Sequence, residues 1–351
     1  MRTIFFIILT FTHLSIAKVD SFKKLRLDTG LGIDVAESQI LKARVLGFYF
    51  GIESQYNIND EVMAYFNSVL LLENGSNEVL GTNIAEFEPI ESIQLLGGGI
   101  IYKPTKSFNF ELAAMNQDRF NSPLLVGQIP FVGISEKLFL GSFYLKAQQS
   151  IPNNNFLSRR IGTIETGTPL FLMSTLGLLL DSSYRFIFEA SHFKYADISP
   201  DVAQNSRSIG NSVSGVDQGA QFLYDFEGSN VFSKLTLPLK SQKISFGMQY
   251  LFNEKAPEGR NKGILGFISL EDEKYIYSLE NYRNESDSSI AFYNDRNFGH
   301  NNITGTAASV EYRCQDYTAF IRMTHYRPIE NAPTQDETTL VSARITRSFN
   351  L

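Results

Sequence analysis

The chain has 351 residues, a formal net charge of −6 and one cysteine, Cys314; 43% of it is hydrophobic and 13% aromatic, with 29 Phe, 16 Tyr and no Trp. The mild acidic balance, with Lys and Arg spread throughout, gives no nucleic-acid surface, and a lone cysteine excludes an internal disulfide. No stretch after the amino-terminal segment approaches a helical membrane span, while a mean hydropathy of −0.11 suits a soluble protein and a transmembrane β-barrel alike.

Met1-Arg2 is a short basic segment, Ile4 to Phe11 is apolar and extended by Leu14, and Ser15-Ile16-Ala17 is a small-x-small sequence. This is the layout of an export signal. Residues 1–17 are expected to be removed, leaving 18–351 as one domain that starts at Lys18. Strand-like alternation follows. Leu25, Leu27, Thr29, Leu31, Ile33 and Val35 alternate with Lys24, Arg26, Asp28, Gly30, Gly32 and Asp34. Leu46, Phe48, Phe50 and Ile52 share a face, as do Phe108, Phe110, Leu112 and Ala114. Tyr184, Phe186, Phe188 and Ala190 oppose Arg185, Ile187, Glu189 and Ser191. Ile244, Phe246, Met248 and Tyr250 oppose Lys243, Ser245, Gly247 and Gln249, and Tyr317, Ala319, Ile321 and Met323 oppose Thr318, Arg322 and Thr324. The last segment places Thr339, Val341, Ala343, Ile345, Phe349 and Leu351 on one side, interrupted by Arg347, and Leu340, Ser342, Arg344, Thr346, Ser348 and Asn350 on the other.

The connections are of two kinds. Short polar turns fall at Tyr56–Asp60, Lys103–Lys106, Ser150–Asn154, Asp181–Ser183, Ser241–Gln242, Glu271–Lys274 and Cys314–Asp316. Longer segments fall near Ala36–Ile40, Glu73–Glu91, Gln117–Glu136, Ile164–Thr168, Ala196–Asp217, Glu254–Lys262, Asn284–Asn302 and Pro328–Glu337. Seven turns alternate with eight loops, and fifteen connections join sixteen strands. The fold class is therefore all-β: a single antiparallel transmembrane β-barrel of about sixteen strands, with fourteen or eighteen as alternatives. In this count Asn154–Thr163 is a strand, and Gln221–Leu239 is one long strand despite the turn-like Glu227-Gly228-Ser229-Asn230. Gly97-Gly98-Gly99 lacks a following Lys-Ser or Lys-Thr and reads as a bend or close approach within a strand.

On the signal segment, the strand segments and the terminal amphipathic strand with Phe349, the chain resembles Gram-negative outer-membrane β-barrels of the general (diffusion) porin type. The resemblance covers the whole chain as architecture. It departs at the end, where Ser348-Phe349-Asn350-Leu351 puts the aromatic two places early. The resemblance implies passive diffusion of small hydrophilic solutes and a homotrimer. It implies outer-membrane lipids, lipopolysaccharide and the barrel-assembly machinery as partners, with Phe349 and Leu351 on the terminal assembly strand. It also implies a third outside loop folded into the lumen, which here is Gln117–Glu136.

That loop is apolar and Pro-rich over Asn121–Gly133, which predicts that it packs against something. The constriction candidates are Asp118, Pro123, Gln128, Pro130, Phe131 and Glu136. Barrel closure brings Lys24, Arg26, Arg313, Arg322 and Arg344 onto one wall as a basic strip, with Asp28 and Glu311 nearby and Arg185, Glu189 and Glu280 as further lumen charges. Charged strips set ion preference, and this one predicts a mild anion preference. Tyr49, Phe267 and Tyr282 form either a lumen track or part of a lipid-facing girdle. Catalysis is not expected. Ser191 and His192 are adjacent and so point to opposite faces of a strand, and no Gly-x-Ser-x-Gly elbow or metal-spaced His/Cys cluster is present, so no cofactor is assigned. Two other readings stay open: a structural or adhesive barrel with a blocked lumen and functional surface loops, and a substrate-specific sugar or fatty-acid channel.

Overall fold

Period-2 patterning resolves into a ladder that closes on itself. The computed structural model describes residues 22–350 except 40, 80–84, 88–89, 118–120, 128, 153–166 and 299. The expected export signal, residues 1–17, lies outside the described residues, and so does Leu351. Sixteen long strands form an antiparallel barrel. They are β1 (Phe22–Ser38), β2 (Leu41–Asn57), β3 (Val62–Val79), β4 (Ile90–Thr105), β5 (Phe108–Asn116), β6 (Pro130–Leu140), β7 (Phe143–Ile151) and β8 (Leu170–Asp181). The second half continues with β9 (Arg185–Ala196), β10 (Glu227–Leu239), β11 (Gln242–Asn253), β12 (Lys262–Glu271), β13 (Tyr275–Asn284), β14 (Ile303–Cys314), β15 (Tyr317–Pro328) and β16 (Thr338–Asn350). β16 returns to pair with β1, with Leu31 opposite Ile345 and Leu27 opposite Phe349. Closure satisfies the edge groups that an open sheet would leave unpaired. A short strand, Ala85–Phe87, adds to β3, and the loop after β9 carries helix α1 (Pro200–Arg207) and a small hairpin of Val213–Ser214 with Gln221–Phe222.

Two strands lie elsewhere than the pattern suggested. The third hairpin turns at Gly141-Ser142, where Gly141 has φ 65°, and Ser150 and Ile151 pair inside β7 with Gly133 and Val132. A two-residue Gly-Ser link between alternating apolar runs is a hairpin signal in its own right. The expected strand over Asn154–Thr163 lies outside the described residues. Glu227–Asn230 belongs to the β10 ladder as expected, but Gln221 and Phe222 belong to the separate hairpin. Along β4, the register with β3 shifts between Asn67 and Ser68, opposite the Gly97–Gly99 run, and any Cβ on Gly99 would run into Ala113.

The outward face is an apolar belt. Leu31, Ile33, Leu46, Phe48, Ile93, Leu112, Leu145, Leu176, Met248, Ile264 and Ile321 are all exposed on it, Ile93 by 71%. A water-soluble sheet would not leave so continuous an apolar face bare. At the end carrying the short turns, Tyr56, Tyr102, Tyr184, Tyr275, Tyr277, Tyr317 and Phe349 are exposed, a Tyr/Phe girdle without Trp. Arg347 lies over the rings of Tyr317 and Phe349 at 5.2 and 4.7 Å.

The core is inside the barrel, toward the loop end and to one side. Phe131, Phe171, Phe193, Tyr195, Leu251, Leu265, Tyr282 and Ile303 project from the inner faces of β6–β14. They pack around Leu124, Leu125 and Val126 of the third loop, Val202 of α1, and Ile290, Tyr293 and Phe298 of the segment between β13 and β14. Several aromatic rings lie flat over glycines of the neighbouring strand: Tyr49 on Gly30, Tyr144 on Gly177, Phe267 on Gly247 and Tyr282 on Gly305. Glycine is required there because a Cβ would occupy the space of the ring. Tyr49, Phe267 and Tyr282 are thus on the inner face.

Candidate functional site

The third outside loop enters the lumen, and its backbone is satisfied there. Leu124 N–H donates to Gln249 Oε1 at 3.2 Å and Ser289 Oγ donates to Leu124 O at 2.7 Å. Gly127 N–H donates to Tyr293 O at 2.7 Å, and Asp295 N–H donates to Pro123 O at 2.9 Å. On the wall, Gln249 Nε2 donates to Asn230 Oδ1 (2.7 Å), and Asn230 Nδ2 donates to Ser122 Oγ (3.0 Å). A buried loop costs heavily unless its polar groups are paired, and here the β10–β11 wall and the β13–β14 loop pair them. Gly127 allows the closest approach, since a Cβ there would sit 2.7 Å from Asp295 Cα.

A second tether is Glu189 on β9. It accepts a hydrogen bond from the Tyr144 hydroxyl and another, at 3.2 Å, from Asn121 Nδ2 of the loop. Lys137 Nζ lies 3.9 Å over the Tyr144 ring. The β13–β14 loop is held by its own amide network. Asn301 Oδ1 accepts from Asn284 Nδ2 and Asn294 Nδ2, both at 2.6 Å, while Asn301 Nδ2 donates to the carbonyls of Ser286 and Ser289 at 3.0 and 2.7 Å.

Of the constriction candidates, Pro123 is in the inward loop, and Asp118 and Gln128 lie outside the described residues. Pro130 and Phe131 are already in β6; Pro130 pairs with Asn116, and Phe131 packs edge-on against Phe171 and Tyr293 at 5.4 and 5.2 Å. Glu136 is the correction among them. It sits on β6 opposite Phe110 and Ala147, on the same side as the exposed Val132, Leu138 and Leu140, and points away from the lumen. The loop ends at Ile129, so the strand period carries Glu136 outward.

Lys24, Arg26, Arg313, Arg322 and Arg344 all lie on the inner face, but most are matched by carboxylates. Lys24 Nζ is 2.6 Å from Glu53, and Arg26 Nε is 2.8 Å from Asp28, which also accepts from Ser348 Oγ at 2.6 Å. Arg313 meets Glu311 at 2.6 Å and Glu271 at 3.2 Å, and Arg322 meets Glu280 at 2.6 Å. Arg344 instead lies 5.3 Å over the Tyr49 ring and has no carboxylate partner among the described residues. Arg185 stands exposed on the inner face near the turn end of β9, opposite Asp181 and Thr236. Ser191 shares a hydrogen bond with Thr175 across the inner face (2.9 Å), while His192 points outward toward Glu227.

Phe232, Lys234 and Asp295 of the lumen were not singled out in the sequence. A cavity of about 390 Å³ lies between the inward loop and β10–β13, lined by Pro123, Phe232, Lys234, Phe267, Glu280 and Asp295 among others. Burial pushes the Asp295 carboxyl above the usual carboxylate range, against the opposing pull of Arg322. Such a carboxyl holds its proton more tightly in the docked loop than in a released one. Docking therefore has its full stability at acid pH and loses it as pH rises through the raised value. Asp295→Asn is expected to abolish that dependence: the rise in single-channel conductance and noise expected of the unaltered protein on raising the pH from acid to neutral should be lost. The segment Ile290-Ala291-Phe292-Tyr293 is an apolar run inside a loop, the same signal that marked the third loop.

A closed sixteen-stranded barrel with an apolar outside, a charged inner wall and a loop folded inward has the architecture of the outer-membrane porins. Solved structures agree in fold. OprB of Pseudomonas putida superimposes with a TM-score of 0.61 over 96% of this chain and 96% of its own, at 9% identity. OpdL and OccK7 (OpdD) of Pseudomonas aeruginosa each give 0.50 over 93% of this chain and 99% of theirs, at 12% and 8% identity. No family model matches the chain, and no curated protein matches it either.

Proposed function

We propose that the chain is a channel of the Gram-negative outer membrane through which small hydrophilic solutes and ions diffuse passively. The observation that carries this is the uneven filling of the barrel. Inner-face residues of β8–β13 such as Phe171, Gln249 and Leu251 are fully buried, whereas Lys24, Arg26 and Arg344 on β1 and β16 keep solvent contact. The loop narrows the lumen against one wall and leaves a charged strip along the other. Transport needs no energy source beyond the solute gradient. Export through a cleaved signal, insertion by the barrel-assembly machinery through the terminal strand with Phe349 and Leu351, contact with lipopolysaccharide and a homotrimeric assembly belong to the same reading.

The ion pairs revise the expected anion preference. Because four of the five basic groups face carboxylates, the wall carries little net charge, and selectivity in a salt gradient should be weak. Arg344→Glu should then move the reversal potential toward cation preference. A reversal potential unchanged by Arg344→Glu and by Arg26→Glu would make the strip a purely structural feature. Single-channel recording in a planar bilayer tests the channel reading: stepwise openings are expected, and silence from folded, heat-modifiable protein would leave the plugged-barrel reading. A substrate-specific channel is the second reading. It is favoured by the cavity beside the loop, where Phe232 and Phe267 stack at 6.4 Å next to Lys234.

A further inference from the structure

Beside the inward loop, the inner wall carries two consecutive rungs of unlike chemistry. On the first, Lys234 of β10 is opposite Gly247 of β11, Gly247 is opposite Phe267 of β12, and Phe267 is opposite Glu280 of β13. The glycine lets the Phe267 ring lie against the wall, since a Cβ on Gly247 would fall inside that ring. One face of the ring is thereby taken by the wall, and the other is turned to the lumen. Lys234 Nζ stands 5.9 Å from the ring centroid. The second rung lies one step nearer the turns. There Ser245, Ser269, Ser278 and Ser309 follow one another on β11, β12, β13 and β14, with Thr236 before them and Arg322 after them.

Ser245 shares a hydrogen bond with Thr236 at 2.9 Å, but among the described residues none reaches the hydroxyls of Ser269 and Ser278. Both line the cavity of about 390 Å³, with Phe267 and Lys234 on the wall and Asn121 and Pro123 of the third loop across from it. That volume falls within the ~300–1,000 Å³ of small-molecule sites. The carboxyls of the lining are engaged. Glu280 lies 2.6 Å from Arg322, and burial raises the pH at which Asp295 gives up its proton. Lys234 has no carboxylate partner among the described residues, so the cavity keeps one unmatched positive charge.

These parts make different demands on an occupant. An aromatic face takes the flat face of another ring, and a lysine takes an anion. Free serine hydroxyls donate and accept at once, so they match an occupant with hydroxyls of its own. A neutral polyol leaves Lys234 unused, and a plain aromatic acid leaves Ser269 and Ser278 unused.

We propose that this cavity binds a hydroxylated ring carrying one carboxylate, the uronic-acid class. Its ring lies on Phe267, its carboxylate meets Lys234, and its hydroxyls run along Ser269 and Ser278. The inference deepens the substrate-specific reading given above and rests on it.

The test applies glucuronate, glucose and benzoate at equal concentration to full-length protein in a planar bilayer, and titrates the same three calorimetrically against the protein in detergent. Glucuronate is expected to interrupt the current and to bind severalfold more tightly than either of the others. Lys234→Gln should weaken glucuronate severalfold and leave glucose unchanged. Ser269→Ala with Ser278→Ala should weaken glucuronate and leave benzoate unchanged. Heat-modifiability checks that each variant is folded. Glucose as effective as glucuronate, or glucuronate indifferent to Lys234→Gln, overturns the charge recognition; benzoate as effective as glucuronate overturns the role of the serines. Open channels that glucuronate neither enters nor blocks overturn the site and leave the channel reading in place. Silent protein that still binds glucuronate supports the site and overturns the channel reading.

Discussion

Replacing the inward segment 121–129 with a short Gly/Ser link is expected to raise single-channel conductance severalfold. The flanking strands are already joined, because Asn116 and Pro130 are register partners at the mouth of the β5–β6 hairpin, so the ladder itself need not change. What leaves the lumen is Leu124, Leu125 and Val126, each almost fully buried, and with them the backbone bonds from Gly127 to Tyr293 and from Asp295 to Pro123. The β13–β14 loop loses these moorings to the third loop, so the widened path should also become noisier. The same deletion should lower stability, since each of those side chains contributes roughly 1.5–3 kcal/mol by burial. Conductance and the temperature at which the heat-modifiable band is lost measure the two effects in one preparation. An unaltered conductance would mean that the loop does not border the path.

The second large effect is expected at Gly177. Its missing Cβ is the seat of the Tyr144 ring, whose hydroxyl in turn holds Glu189. Gly177→Val leaves the ring no place on the β7–β8 wall. Overpacking of this kind typically costs about 1–3 kcal/mol and occasionally more, and here the displaced ring would also strip one of the two hydrogen bonds at Glu189, loosening the grip of that carboxylate on Asn121. The folded, heat-modifiable form should be strongly reduced. Gly177→Val with Tyr144→Ala should recover it, because removing the ring vacates the space. Failure of the double variant to recover would place the defect in the backbone of β8 and not in the ring contact.

How much of this was legible beforehand depends on which physical signal a residue carries. The period-2 pattern needs only backbone geometry and one lipid-facing side, so strand number, turn–loop alternation and the inner position of Lys24, Arg26, Arg322 and Arg344 could all be read from the chain. Register is more fragile. Missing the Gly141-Ser142 turn displaced two strands, and starting β6 late left Glu136 in a loop, although one step of strand period turns it to the lipid side. The apolar third loop announced that it packs, but what it packs against did not show. Gln249, Asn230 and Tyr293 come from strands and loops more than a hundred residues away, and no local pattern relates them. Charge pairing was hidden for the same reason: Glu53, diagonal to Lys24 across β1–β2, and Glu280, within reach of Arg322, become neighbours only through cross-strand geometry.

The one-sided interior has a bearing on how such a chain can be put together. The half from β6 to β14 resembles a water-soluble sandwich, a wall with packed loops behind it, and can be stabilised by side-chain contacts of its own. The junction between first and last strands, by contrast, falls where the wall is a single layer: Gly30, Gly32 and Asp28 face Thr346, Arg344 and Ser348, with no packed loop behind them but only the Tyr49 ring over Gly30. The seam can therefore be zipped last, by backbone pairing and a few polar side-chain bonds such as Ser348 to Asp28, without disturbing any packed interior.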